Sequence, residues 1–217
     1  MKILITLGAT KEPIDPVRYI TNASSGKMGI AIAKISKKRK HEITLIAGST
    51  TVSIPNDFKT IKTITAEEMT DAAIFELKNN NYDCFIGAAA ISDYTINSQK
   101  EKIKSEQNEL ILKLTPTRKL TKLVKETFPK VFVVAFKAEH GLSDEQLIDA
   151  AYAKLKLENL DLIIANDVSK GVFGSEENEV YIIDKNKQVT HIKRNLKIDI
   201  ARKIFEVIEN KIGIRSQ

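Results

Sequence analysis

Five short runs in this chain are apolar almost throughout: KILITL at 2–7, EITLIAG at 42–48, YDCFIGAAA at 82–90, KVFVVAF at 130–136 and DLIIAND at 161–167. A strand with one wet face alternates apolar and polar residues. Runs like these need cover on both faces, which is the position of inner strands in a parallel sheet. The segments between them change period. Met28, Ala31, Ile32 and Ile35 sit at helical spacing within 25–38. KTIKTIT at 59–65 reads as a third strand, and Thr65 with Glu68 forms a capping-box pair that opens a helix to about Asn79. Pro116 is expected to start another helix, to about Thr127. Ser143 with Gln146 opens one over 143–158, and the tail reads as a hairpin, EVYIID-KNKQ-VTHI, followed by a helix over about 196–211. Strands alternating with helices predict right-handed crossovers. The fold class is therefore α/β: a Rossmann-like, doubly wound, mostly parallel sheet with helices on both faces. One segment departs from the pattern. Residues 91–115 read as a loop and a hairpin around Gln107–Asn108, a flap-like insertion within a single domain spanning 1–217.

The wider composition narrows the functional classes. No run of about 18 apolar residues is present to cross a membrane, and the N-terminus enters a strand without a leader pattern. The lone cysteine, Cys84, falls inside an apolar run and reads as a buried thiol in a reducing cytoplasm. The net charge of +6 comes from lysines spread along the chain, with no basic run interleaved with aromatics. That pattern favours small anions over nucleic acid.

A doubly wound sheet binds ligands at the carboxyl ends of its strands. After the first strand, residues 8–24 form a link far longer than the usual 2–6 residues, with Pro13 and Pro16 stiffening it and Asp15, Arg18 and Asn22 as its polar groups. Ser24, Ser25, Gly26 and Lys27 then open a helix, where backbone N–H groups and the helix dipole favour an anion; the plain alternative is a serine cap. Neither the Walker A nor the dinucleotide spelling fits: Thr21 stands where the first Walker glycine would, and Met28 follows Lys27. After the fourth strand, Ala88, Ala89 and Ala90 leave room against the backbone, and Asp93 is placed for a ribose hydroxyl, a metal or a turn cap. Lys102 and Lys104 project to one side if EKIKS is extended. Asn166 and Asp167 end the last parallel strand. The three histidines are scattered, and no Cys/His metal spacing or Ser-His-Asp set occurs. Positioning and charge neutralisation, as in nucleotidyl transfer, fit better than an activated nucleophile. A dinucleotide-dependent reductase lacks its glycine-rich turn; a non-catalytic nucleotide-binding module stays open on these residues alone.

GATKEPIDPVRYITNASSGKMG, GAAAISDY, EKIK and DLIIANDVS, in this order, resemble the phosphopantothenoylcysteine synthetases, the phosphopantothenate–cysteine ligases of coenzyme A biosynthesis, over nearly the whole chain. The resemblance implies a stand-alone form of a synthetase that is often fused to a flavin-dependent decarboxylase. It implies that the carboxylate of 4′-phosphopantothenate attacks the α-phosphate of CTP, or of ATP in eukaryotic members, releasing pyrophosphate. The amine of L-cysteine then displaces the nucleotide. Mg²⁺ would accompany the triphosphate. A homodimer is implied, with the 101–115 hairpin as a paired element, and a separate decarboxylase as a further partner.

Position by position, the resemblance puts Asn22 and Arg18 at the acyl-nucleotidylate and Lys102 at its turnover. Gly8, Ser24, Ser25, Gly26 and Lys27, with Ala88, Ala89, Asp93, Phe136 and Lys154, fall at the nucleotide; metal ligands are not assigned. Departures cluster on the nucleotide side. Ser105 replaces the last lysine of Lys-x-Lys-Lys, Thr115-Pro116-Thr117 replaces Asn-Pro-Asp, and Glu158 stands at a nucleotide lysine, with Lys156 as its stand-in.

Overall fold

The elements follow in the order β1 (Lys2–Leu7), β2 (Lys11–Asp15), β3 (Arg18–Thr21), α1 (Lys27–Lys38), β4 (Glu42–Ala47), β5 (Lys59–Lys62), α2 (Ala66–Asn79), β6 (Cys84–Gly87), β7 (Tyr94–Thr95), β8 (Thr115–Pro116), α3 (Leu120–Thr127), β9 (Phe132–Glu139), α4 (Asp144–Leu157), β10 (Leu162–Asp167), β11 (Glu177–Asp184), β12 (Val189–Leu196) and α5 (Lys197–Ile212). They belong to a computed structural model that describes residues 1–104, 109–171 and 174–213.

One eight-stranded sheet runs β12-β11-β10-β9-β6-β1-β4-β5. The strands from β10 to β5 are parallel, and β11 and β12 add an antiparallel edge. The chain builds outward from β1 to β4 and β5, then returns to the other side of β1 with β6. The strand order therefore reverses between β1 and β6, and that switch opens a crevice at the strands' carboxyl ends.

Alternate residues of the inner strands feed two cores. Ile3, Ile5 and Leu7 pack with Ile32 of α1 and Phe205 of α5 on one face. Leu4 and Phe85 pack with Met69 of α2, Val124 of α3 and Leu147 of α4 on the other. Both faces are dry, which accounts for the unbroken apolar spelling of these strands. Cys84 is fully buried, and burial pushes its thiol pKa far up. It is an inert core residue.

Helix α1 approaches β1 closely because it carries glycine at the crossing. A Cβ on Gly29 would lie 2.5 Å from the Leu7 Cβ. Alanine normally gains up to about 1 kcal/mol over glycine inside a helix, but overpacking costs about 1–3 kcal/mol, so the clash wins. Gly29→Ala should lower the thermal midpoint by several degrees; an unchanged or higher midpoint would show that α1 can move aside.

Two segments differ from the sequence expectation. The long link after β1 contains an antiparallel hairpin, β2–β3, with a register shift between Pro13 and Asp15. Its strands pair only with each other, so Pro13 blocks no central ladder. Pro116 does not begin a helix. It pairs with Tyr94 in the short β7–β8 ladder, and α3 starts at Leu120. The described residues at 101–104 and 109–114 form no strand, and the expected turn at Gln107–Asn108 lies outside the described residues.

Candidate functional site

A cleft of about 820 Å³ crosses the carboxyl rim at the switch between β1 and β6. Four segments build it. The link from β3 into α1 supplies Asn22, Ser24, Ser25, Gly26 and Lys27; the end of β6 supplies Ala88, Ala89 and, beyond it, Asp93. Strand β9 gives Phe136, and helix α4 gives Ala150, Ala153, Lys154 and Leu157.

Local chemistry sets these positions. Gly26 is the N-cap of α1 in the left-handed region, with φ of 80° and no side chain to occupy the first N–H groups. A chain that enters a helix through this conformation leaves donors open toward the rim. The Asn22 amide donates to the Ala90 carbonyl at 3.2 Å, which ties the link to the end of β6. Thr10 completes the tie: its hydroxyl oxygen accepts from the Ser92 N–H at 2.9 Å, and its carbonyl accepts from the Thr21 hydroxyl at 2.6 Å. Phe136 faces small side chains at Ala150 and Ala153, leaving a flat apolar slot between β9 and α4.

The cleft is lined by Lys27, Lys119, Lys137, Lys154 and Lys197 against two carboxylates, Asp93 and Glu139. Lys119 is ion-paired with Asp93, Lys137 with Glu139 at 2.8 Å, and Lys154 with Glu158 four residues along α4. Glu158 also accepts from the Thr121 hydroxyl at 2.6 Å. It lies behind the cleft and holds Lys154, so it does not replace a lysine at the cleft.

Three residues expected at the site stand elsewhere. Gly8 is buried beneath the start of α1, not on the cleft. The Arg18 guanidinium is closed on the Asp15 carboxylate and the Ile103 carbonyl, the latter at 2.8 Å. That partnership holds the Asp15 carboxyl far below the usual carboxylate range. Asp15 is almost wholly buried and also accepts from the N–H groups of Val17, Arg18 and Ile103, so the pair works as a clasp between β2–β3 and residue 103. Lys102 lines a separate groove of about 520 Å³ with Ile14, Ile96 and Ile111. Lys104 is exposed and is not at the cleft.

The sequence reading missed Lys119, Lys137, Asn178 and Lys197. Each is a lone polar residue on its own element, with no neighbouring motif to mark it. Asp167, expected on the rim, turns away and holds the Gly141 and Ser169 N–H groups at 3.0 and 2.8 Å. Those donors keep its pKa low. No group of three or more His, Cys, Asp or Glu placed to hold a metal occurs among the described residues, and no helix there is long and apolar enough to cross a membrane.

The fold and site define a class: a Rossmann-like α/β protein with a lysine-lined cleft at its topological switch point. Comparison with known proteins narrows it. The chain belongs to the family described as DNA/pantothenate metabolism flavoprotein C-terminal domain, whose model matches residues 1–212. It is 45% identical over 213 residues to the coenzyme A biosynthesis bifunctional protein CoaBC of Thermococcus kodakarensis, covering 97% of this chain and 51% of that protein. The chain spans about half the length of the curated relatives it matches. Among solved structures, the C-terminal domain of a bifunctional protein CoaBC superposes with a TM-score of 0.81 at 30% identity, over 99% of this chain and 96% of that one. The DNA/pantothenate metabolism flavoprotein of Streptococcus pneumoniae gives 0.83 at 27% identity, over 97% and 99%.

Proposed function

We propose that this chain is a phosphopantothenate–cysteine ligase that activates 4′-phosphopantothenate with CTP. The observation that carries the reading is convergence: Asn22, the α1 start, Ala88, Ala89, Asp93, Phe136 and Lys154 line one cleft, although they come from distant parts of the sequence. The names of the relatives agree with it.

In this reading the base enters the slot beside Phe136, and the phosphates lie toward the α1 start. A carboxylate oxygen of phosphopantothenate attacks the α-phosphorus, a new P–O bond forms, and pyrophosphate leaves. The cysteine amine then attacks the acyl carbon, CMP leaves, and the amine loses a proton to solvent. Two polyanions must meet for the first step, and the excess of lysines offsets their repulsion. The acidic groups on the cleft, Asp93 and Glu139, are each paired with lysine. Mg²⁺ would therefore arrive chelated by the triphosphate, as part of the substrate.

Lys102 reaches this site from a second copy of the chain. Val17, Tyr19, Tyr94, Ile111 and Leu114 expose apolar surface on the hairpin and the 91–115 excursion, the same region that carries Lys102. Burying that surface in a homodimer would set the partner's Lys102 against the cleft. The setting is cytoplasmic, and a decarboxylase, separate or fused, would take the product.

The test is a single incubation with phosphopantothenate, Mg²⁺ and one triphosphate, without cysteine. About one pyrophosphate per site should appear with CTP, and mass spectrometry should find the acyl-cytidylate. Release with ATP alone would reverse the nucleotide choice, and release with no triphosphate would end the reading.

A further inference from the structure

The β10–β11 side of the cleft holds polar groups that the reading above leaves unused. Helices α1 and α5 pack side by side, and both begin at this end, with Lys27 and Lys197 as their first residues. Neither helix has a side-chain cap. Two helix N-termini therefore direct positive potential at one place. Lys197 is nearly buried, and its ammonium donates to the Ser175 carbonyl. Lys27 donates to the Gly174 carbonyl at 2.6 Å and pairs with Glu176 at 2.6 Å.

Two asparagines complete the group. Asn166 is 8% exposed and lines the cleft, yet its side-chain amide makes no hydrogen bond among the described residues. Asn178 is 5% exposed; its Oδ1 accepts from the Glu179 N–H at 2.9 Å, and its NH₂ group has no acceptor among the described residues. Buried polar groups normally find partners, so amides left open toward a cleft mark the place of a ligand that accepts hydrogen bonds.

We propose that Lys27, Lys197, Asn166 and Asn178 form a subsite for the terminal diphosphate of the nucleotide, which holds pyrophosphate as it leaves. The assignment rests on the ligase reading above and deepens it. The groups offered are donors and cations, which suits a phosphoryl oxygen cluster and not a base or a thiol. Burial and the neighbouring Lys27 ammonium lower the Lys197 pKa, the behaviour of a cation short of counter-charge. Glu176 is the carboxylate now facing Lys27, and its side chain is 74% exposed. It is free to swing into solvent when a diphosphate takes its place.

Binding of inorganic pyrophosphate, CMP, inorganic phosphate and phosphopantothenate to the purified protein, measured by calorimetry, tests the subsite without needing turnover. Lys197→Met and Asn166→Leu should each weaken pyrophosphate binding tenfold or more and leave CMP within about twofold. Glu176→Gln should tighten pyrophosphate several-fold, a gain that a damaged fold does not produce. Unchanged pyrophosphate binding in both loss variants overturns the assignment. So does a loss confined to phosphopantothenate or shared equally by CMP, because the subsite would then serve the other anion or the whole cleft. Pyrophosphate binding that follows these expectations in a protein with no ligase activity would keep the subsite and remove the ligase reading.

Discussion

Asn22→Asp should lower steady-state ligation by about 10²–10³-fold, the usual loss when one preorganised donor to a developing oxyanion is removed, while leaving pyrophosphate release nearly intact. Asn22 sits on the cleft at the end of the β3–α1 link, with its amide already donating to the Ala90 carbonyl. The amide is thereby oriented before any substrate arrives. When the cysteine amine attacks the acyl carbon, negative charge grows on the carbonyl oxygen. An amide N–H stabilises that charge; an Asp carboxylate offers no donor and adds a like charge. The first step places its charge on phosphate and depends less on this donor. The variant should therefore give a burst of about one pyrophosphate per site and accumulate acyl-cytidylate. Asn22 is exposed, so its replacement should shift stability by no more than about 0.5 kcal/mol. Loss of the burst together with turnover would assign Asn22 to nucleotide binding instead.

The layered architecture was legible because dry faces leave a direct mark. Ile3, Ile5 and Leu7 serve one core and Leu4 the other, so KILITL had to be apolar on both sides. Caps were equally readable: Ser143 and Gln146 form the reciprocal pair their spacing implied, and Thr65 accepts from the Glu68 N–H. The β2–β3 hairpin was hidden because a self-paired ribbon needs no apolar alternation and tolerates Pro13. Arg18 looked like a free cation in the sequence. Only the fold brings it to Asp15 and Ile103, a contact across 85 positions. Lys197 was invisible for the opposite reason. One lysine at a helix start carries no pattern until a second helix, α1, is seen to start beside it.

The site itself is incomplete within one chain, and that gap leads to a second expected result. Mixing Asn22→Asp with Lys102→Gln, each nearly inactive as a pure dimer, should restore about one quarter of wild-type activity once subunits exchange. The reasoning is geometric. Lys102 lies in the groove beside Ile14 and Ile111, not on the cleft that holds Asn22. The Arg18–Asp15 clasp fixes Ile103 from both its N–H and its carbonyl, so the adjoining Lys102 is anchored to the hairpin of its own chain. Swinging it across to its own cleft would break a buried charge pair, which typically costs about 3–5 kcal/mol. A twofold dimer avoids that cost, because each site then takes Asn22 from one subunit and Lys102 from the other. In a mixed dimer both substitutions fall in one site and the second is intact; with half the dimers mixed at random, about a quarter of all sites work. A mixture that stays inactive after subunit exchange is verified would place Lys102 in its own chain's site and require the clasp to open. Breaking the clasp with Arg18→Met separates the two arrangements again: it should impair a shared site by releasing residue 103, whereas a site completed by opening within one chain should turn over faster.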